Sequence, residues 1–362
     1  MNSLIGDSVA SPTVWIVTVV VTVGFLLVDL LIIGRRPHEP SMKEVSRHLA
    51  FFVGMAVLFG GALWIFAEPH ALSEAPGPEF FAGWLTEYSL SVDNLFIFII
   101  IMSKFSVPRQ YQQTALMIGI VLALIMRAAF ILVGAAAINQ FSWVFYVFGA
   151  FLIYTAFKLA KEAGEDEEEY EENKLVLFVE KRFPATKEYH GTKLFLRENG
   201  KRLITPMFLV VLTLGTTDLL FALDSIPAIY GLTKDPYLVF TANIFALMGL
   251  RQLYFLIGGL LQRLIFLSYG LAVLLGFIGI KLVMHALHEN ALPFLNGGEP
   301  FHASWLEIPI WLSLAVIVGT LAVTTVVSLA VSRSRAQEAP SQDDPQDERG
   351  VEAAARLDAD KG

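Results

Sequence analysis

The sequence predicts an all-α polytopic membrane protein of about nine transmembrane helices, six of them arranged as two inverted three-helix repeats. Three observations carry this. Hydrophobic residues make up 55% of the chain and charged residues only 17%, at a mean hydropathy of +0.59; a soluble domain carries roughly a quarter charged residues. Apolar runs of about 20 residues, long enough to cross a hydrocarbon core, recur along the chain. Lysines and arginines fall on alternate sides of those runs, as the positive-inside rule requires.

The spans are expected at 13–33, 48–67, 80–103, 114–137, 141–159, 204–229, 237–260, 264–286 and 308–331. The first is too long for the apolar region of a signal peptide. It has no basic residue before it and runs into Gly34-Arg35-Arg36 without a small-residue cleavage site, so it reads as a retained span. Residues 1–79 then hold two N-terminal spans, 80–159 the first repeat, 160–203 a cytoplasmic loop, and 204–286 the second repeat. An outer loop and last span fill 287–331, and 332–362 form a disordered cytoplasmic tail.

With the N-terminus outside, segments 1–12, 68–79, 138–140 and 287–307 contain no Lys or Arg, and the segment after Asp224 contains only Lys234. The inner segments hold Arg35, Arg36, Lys43 and Arg47, then Lys104 and Arg109, then Lys161, Lys174, Lys181 and Arg182, and later Arg263, Arg333 and Arg335. The expected orientation is N-terminus out and C-terminus in, in the inner or plasma membrane.

Within the long loop, the run from Glu162 to Glu172 reads as a solvated acidic face. Residues 193–204 read as a hairpin turned by Asn199-Gly200. The pairs Phe51-Phe52 and Phe80-Phe81 are expected at the lipid or the interface, with Trp84, Trp143 and Trp305 in an aromatic belt. Gly258-Gly259, Gly270, Gly276 and Gly279 are expected to let helices approach closely. Asp29, near the inner end of the first span, reads as structural or interfacial.

Composition also excludes. The chain has no cysteine, which removes disulfides, iron–sulfur clusters and thiolate zinc sites. No basic patch with interleaved aromatics suggests nucleic acid. No glycine-rich phosphate loop opens a soluble helix, and no nucleophile–base set appears, so neither an ATP-driven pump nor an enzyme is expected, and no cofactor.

The chemistry lies in two acidic pairs set within apolar stretches, Glu87 with Asp93 and Asp218 with Asp224, each six residues apart. Carboxylates inside hydrocarbon mark ion or proton pathways unless neutralised or paired. The match extends further: Arg127 corresponds to Arg251 and Lys158 to Lys281, at nearly equal intervals. Each unit has three spans, an odd number, so the second is inverted relative to the first, a frequent plan in secondary transporters. Gly215-Thr216-Thr217 and Pro227 around the second pair, and Ser89 and Ser91 within the first, suggest helices broken at these points. On an unbroken helix residues six apart do not share a face.

The available groups are oxygens: Glu87, Asp93, Asn94, Asp218, Asp224, Ser225 and Asn243. Such a set suits a hard divalent cation such as Mn²⁺, Mg²⁺ or Ca²⁺. Four carboxylates less Arg127 and Arg251, which would tune the acids, leave two negative charges to balance one such ion; structural ion pairing and protonation account for the same charges without an ion.

The segments Glu87-Tyr-Ser-Leu-Ser-Val-Asp-Asn-Leu-Phe96, Thr217-Asp-Leu-Leu-Phe-Ala-Leu-Asp-Ser-Ile-Pro-Ala-Ile229 and Asp235 to Arg251 resemble the TerC/Alx family. The resemblance covers roughly residues 10–331. It implies a membrane protein linked to tellurium resistance and manganese efflux, with Asp93 and Asp224 as the central ion-pathway acids and Glu87 and Asp218 beside them. The expectation is export of a divalent metal cation, foremost Mn²⁺, by alternating access, with Asp93 and Asp224 on the ion near the midplane and room for proton coupling. The partners are then the ion and membrane lipid, with homo-oligomerisation and membrane-protein partners left open. The alternative is a membrane scaffold for stress resistance that docks partners on its inner loop and tail.

Overall fold

A computed structural model describes residues 8–35, 40–70, 72–141, 143–162, 186, 188–198, 201–257, 266–288, 295–296, 299, 301, 306 and 308–338. Among the described residues nine helices follow one another: α1 Pro12–Arg35, α2 Met42–Phe66, α3 Pro76–Lys104, α4 Arg109–Gln140, α5 Val144–Glu162, α6 Pro206–Tyr230, α7 Pro236–Ile257, α8 Leu267–His288 and α9 Ile310–Glu338. Among the described residues, all nine are long and apolar enough to cross a membrane. A short hairpin, β1 Phe195–Glu198 and β2 Lys201–Ile204, precedes α6. The acidic run at 163–172, Gly258-Gly259, Trp305 and the tail from 339 lie outside the described residues.

Local chemistry sets the helix starts. Ser41 accepts from the backbone N–H of Glu44 to cap α2. Thr205 caps α6 by accepting from Phe208 N, with Pro206 at the first helical position, where its missing N–H costs nothing. At α7, Asp235 Oδ1 accepts from Tyr237 N at 2.7 Å, again beside a proline. The hairpin is tied to this framework. Phe195 faces Ile204 and Glu198 faces Lys201 across the antiparallel ladder, and Thr205 Oγ1 donates to Lys193 O at 2.6 Å. Tyr189, just before the hairpin, donates its hydroxyl to Phe105 O beyond the end of α3, at 2.7 Å.

The helix ends sort onto two sides. Asp235 accepts from Ser8 Oγ and Val9 N before α1, and its Oδ2 lies 2.9 Å from His70 Nε2 after α2. Lys234 lies over the ring of Phe145 in the first turn of α5. The hairpin, the end of α3 and the start of α6 lie on the other side. Lys234 is the one lysine or arginine among the described residues of the connecting segments on the Asp235 side.

The helices at the centre are those of the two segments α3–α5 and α6–α8. Helix α3 packs on α7, α4 on α6, α5 on α8 and α3 on α6, while α2, α1 and α9 lie outside. Exchanging the two segments turns the α3–α7 contact into the α6–α4 contact and returns the α3–α6, α4–α7 and α5–α8 contacts to themselves. Helix α7 is the inner staff: 94% of its span is buried, against 11% for α1 and 17% for α9. Helices α5 and α8 approach each other closely. A Cβ on Gly149 would stand 2.8 Å from Gly279 O, and one on Gly279 would stand 3.0 Å from Gly149 O. Small residues are what lets two membrane helices pack backbone to backbone.

Two sequence expectations change. Phe80 and Trp84 are buried rather than at the lipid boundary; Phe80 closes an aromatic cluster with Phe59 and Phe245, at 5.0 and 5.9 Å between ring centroids, tying α2, α3 and α7 together. Phe52 is buried as well, whereas Phe51 and Trp143 are exposed, in keeping with the expectation. Second, α3 and α6 run unbroken through both acidic pairs. Of the hydroxyls that suggested a break, Ser89 bonds back to Leu85 O and Thr216 to Leu212 O within their own helices. Pro227 lies in the last turn of α6, where it frees a single carbonyl.

Candidate functional site

The centre of the molecule is a guanidinium between two acids. Arg127 of α4 is fully buried. Its Nε donates to Asp218 Oδ2 at 2.8 Å and its Nη2 to Asp218 Oδ1 at 3.1 Å, a two-pronged pair with α6. Its Nη1 donates to Glu87 Oε1 of α3, and to Ser225 Oγ at 3.3 Å. Helical periodicity explains the α6 half: Asp218 and Ser225 are seven residues apart, two turns, and so share the face turned to α4. Glu87, Asp218 and Ser225 are all buried. The group thus joins one carboxylate from each segment through a single guanidinium inside the membrane, where charged groups are kept only when paired.

Several buried polar atoms of α3, α4 and α7 have no hydrogen-bond partner. They include Glu87 Oε2, Thr86 Oγ1 and Ser91 Oγ on α3, and Thr114 Oγ1 on α4. On α7, neither amide atom of Asn243 makes a hydrogen bond, although the residue is 0% exposed. Glu87 and Ser91 are one turn apart and share a face. Leaving such a group unsatisfied in an interior costs about 1–3 kcal/mol. Most are oxygen donors, as a hard cation requires. Among the described residues, no three His, Asp or Glu side chains stand together as a ready metal cage; Arg127 occupies the position between the acids.

The remaining sequence candidates are placed apart from this group. Asp224 is half-buried on another face of α6, and its Oδ1 accepts from Thr155 Oγ1 of α5 at 3.2 Å. Six residues of unbroken helix turn it about 240° away from Asp218. Asp93 lies in α3, as expected, with its side chain outside the described set, and Asn94 beside it is buried. An unbroken helix raises each aspartate about 9 Å along the axis from its partner acid. Helices α3 and α6 run in opposite directions, so residues 93 and 224 lie toward opposite sides of the membrane from the Arg127 level. They do not meet on one ion at the midplane. Arg251 also stands elsewhere: its Nη2 donates to Asp29 Oδ2 at 3.0 Å, making Asp29 of α1 an ion-pair partner. The sequence signal for that pair was available, since an acid within a span calls for a basic partner.

Sequence reasoning missed two polar sites on the Asp235 side. One is the Asp235 cluster itself. The other is a cavity of about 570 Å³ between the start of α3, the α6–α7 connection, α8 and the start of α9. Glu79 lines it, holding the backbone N–H groups of Glu74 and Ala75 with one oxygen and leaving the other unpartnered. Lys281 also lines it and donates to Ser313 Oγ at 3.2 Å.

Comparison with known proteins adds a family to this geometry. Residues 72–336 match the integral membrane protein TerC family. The chain is 46% identical to the membrane protein Rv2723 of Mycobacterium tuberculosis over 333 residues, 91% of this chain and 82% of that one. It is 37% identical over 326 residues to the membrane protein STKORF319 of Myxococcus xanthus, covering 90% and 95% of the two chains. It is also 37% identical, over 91% of its length and 98% of the relative's, to a Salmonella typhi protein named as a membrane-bound redox modulator, Alx. No solved structure matches the chain.

Proposed function

Because this chain belongs to the TerC family of integral membrane proteins, we propose that it moves a hard divalent cation across the membrane, with Mn²⁺ the expected cargo, by alternating access of α3–α5 against α6–α8. One observation carries the reading: Arg127 bridges Glu87 and Asp218, one acid from each segment, while Glu87 Oε2 is left unpartnered beside it. A guanidinium is a tethered cation. The place it fills is one a mobile cation can take when the arginine withdraws, with Ser225, Ser91 and Asn243 as neutral donors. The contact pattern that survives exchange of the two segments supports an inverted repeat, whose interface is where secondary transporters bind cargo. Asp93 and Asp224, on either side of the Arg127 level, then serve as relay acids on the way in and out. Proton coupling follows naturally, because a carboxylate that releases the cation takes up either a proton or the arginine.

The lysine and arginine bias puts the hairpin side in the cytoplasm and the Asp235 side outside, so the proposed direction is export from the hairpin side through a plasma or inner membrane. The redox name carried by relatives fits this reading through the cargo. The chain has no cysteine for thiol–disulfide chemistry, whereas moving a redox-active metal changes the redox balance of a compartment. The test is Mn²⁺ flux in proteoliposomes, comparing wild type with Glu87→Gln, Asp218→Asn, Asp93→Asn and Asp224→Asn. Flux that disappears in the first two and is slowed in the last two supports the proposal. Wild-type protein that moves neither Mn²⁺, Mg²⁺ nor Ca²⁺ would sink it and favour a scaffold.

A further inference from the structure

We infer that Arg127 and Arg251 take turns as the counter-charge of Glu87 and Asp218, and that Asp29 of α1 holds Arg251 away while Arg127 is in place. The inference rests on the transport reading above and deepens it.

The two arginines hold matching positions in the two segments, as do the two acids. Yet they are used differently. Arg127 has all three guanidinium nitrogens engaged, two of them on the two oxygens of Asp218 and one on Glu87. Arg251 is instead paired with Asp29, on a helix outside both segments. Its attachment is less complete: Nη1 is buried and makes no hydrogen bond. A residue with a duplicated role, held off its duplicated partners by an outside acid, is in the position of a reserve.

Electrostatics says why a reserve is needed. Two carboxylates left bare in the membrane interior are costly, so the empty protein can change its facing only with a positive charge on them. When the cation is bound, it supplies that charge and neither arginine is required. When the cation has left and protons do not cover the acids, an arginine does, and exchange of two inverted halves makes it Arg127 in one facing state and Arg251 in the other. Both arginines together would neutralise the acids fully and compete with the cation. Asp29 prevents that by giving Arg251 an alternative partner. Arg251 and Asp29 are therefore positioning residues that govern the return of the empty protein and the competition for the site.

The experiment separates net flux from exchange. Protein in proteoliposomes is measured for net Mn²⁺ movement down a gradient, which needs the empty return, and for exchange of radiolabelled Mn²⁺ at equal concentrations, which does not. For Arg251→Gln, net flux should fall about tenfold or more while exchange stays within about twofold of wild type. Arg251→Lys should recover part of the net flux. Asp29→Asn should raise the KM of exchange several-fold with little change in its maximum rate, because the freed Arg251 competes for the acids. If Arg251→Gln and Asp29→Asn lower net flux and exchange in parallel, together with the melting temperature, the pair is only structural and the inference is overturned. Should Arg251→Gln not fold, Arg251→Lys with equal losses in both assays overturns it, and a loss confined to net flux supports it. Wild type lacking both activities sinks the transport reading itself, a distinguishable result.

Discussion

Arg127 meets Asp218 through two parallel N–H···O bonds of 2.8 and 3.1 Å, wholly inside the membrane-spanning core and 91 residues apart in sequence. A two-pronged contact fixes direction as well as distance, so it locks α4 to α6 while Nη1 reaches α3. Under the proposed transport, this buried two-pronged link is also the one a cation would have to break.

Breaking one side of that link should be far more damaging than removing it whole. Asp218→Asn leaves Arg127 underpaired, and the expected cost is about 3–5 kcal/mol. Adding Arg127→Met in the same chain should recover a large part of the lost stability without recovering flux. Thermal unfolding in detergent, read for both variants, checks this; a double variant no better than the single one contradicts it.

Asn243→Leu should separate stability from function. The amide is fully buried and unbonded, so an apolar side chain of similar size should stabilise the protein by about 1–2 kcal/mol. If Asn243 is a cation donor, the same variant should bind Mn²⁺ more weakly, with KM rising several-fold. A more stable protein with unchanged transport would remove Asn243 from the site.

The α5–α8 contact should tolerate almost nothing larger than glycine. Gly279→Val drives methyl groups toward Ile153 and Gly149 O, where a Cβ alone would already lie at 2.9 and 3.0 Å. Overpacking of this kind costs about 1–3 kcal/mol or more. Gly319→Val on α9, where a Cβ would meet nothing within 4 Å, is the control and should leave the melting temperature nearly unchanged.

Asp235 should prove to be the clasp of the N-terminal segment. Its carboxylate is fully buried and takes bonds from Ser8, Val9 and Tyr237, with His70 beside it. Asp235→Ala should open the chain ahead of α1 to limited proteolysis and lower stability by about 2–3 kcal/mol. Cleavage at the wild-type rate would show that the clasp holds nothing.

Tyr189 ties the hairpin segment to the end of α3, and burial pushes its hydroxyl up to about 12. The folded form thus keeps the phenol protonated at pH values where the unfolded chain, near 10, has lost its proton. The contribution is present below about pH 10 and is lost as pH rises toward 12. Tyr189→Phe should lower stability at pH 8, with the gap from wild type closing across that window in pH-dependent unfolding.

The nine spans among the described residues and the pairing of the hairpin strands could be read from the chain, because apolar length and alternation are local properties, whereas α2 starts at Met42 behind the Ser41 cap, ahead of the expected 48. The duplicated acids and arginines were equally legible, since repetition needs no coordinates. What sequence could not supply was the partner of each charge. Asp218 and Asp224 look equivalent in a string of letters, but an unbroken helix turns one toward Arg127 and the other toward Thr155. Arg127 and Arg251 look equivalent too, and only the packing of α1 beside α7 gives Arg251 to Asp29. Composition determined that this chain lives in a membrane, and the sequence that acidic residues lie within its apolar spans. Tertiary structure decided which acid faces which cation, because buried charges are settled by distances of about 3 Å between helices far apart in sequence, and periodicity carries no information about those.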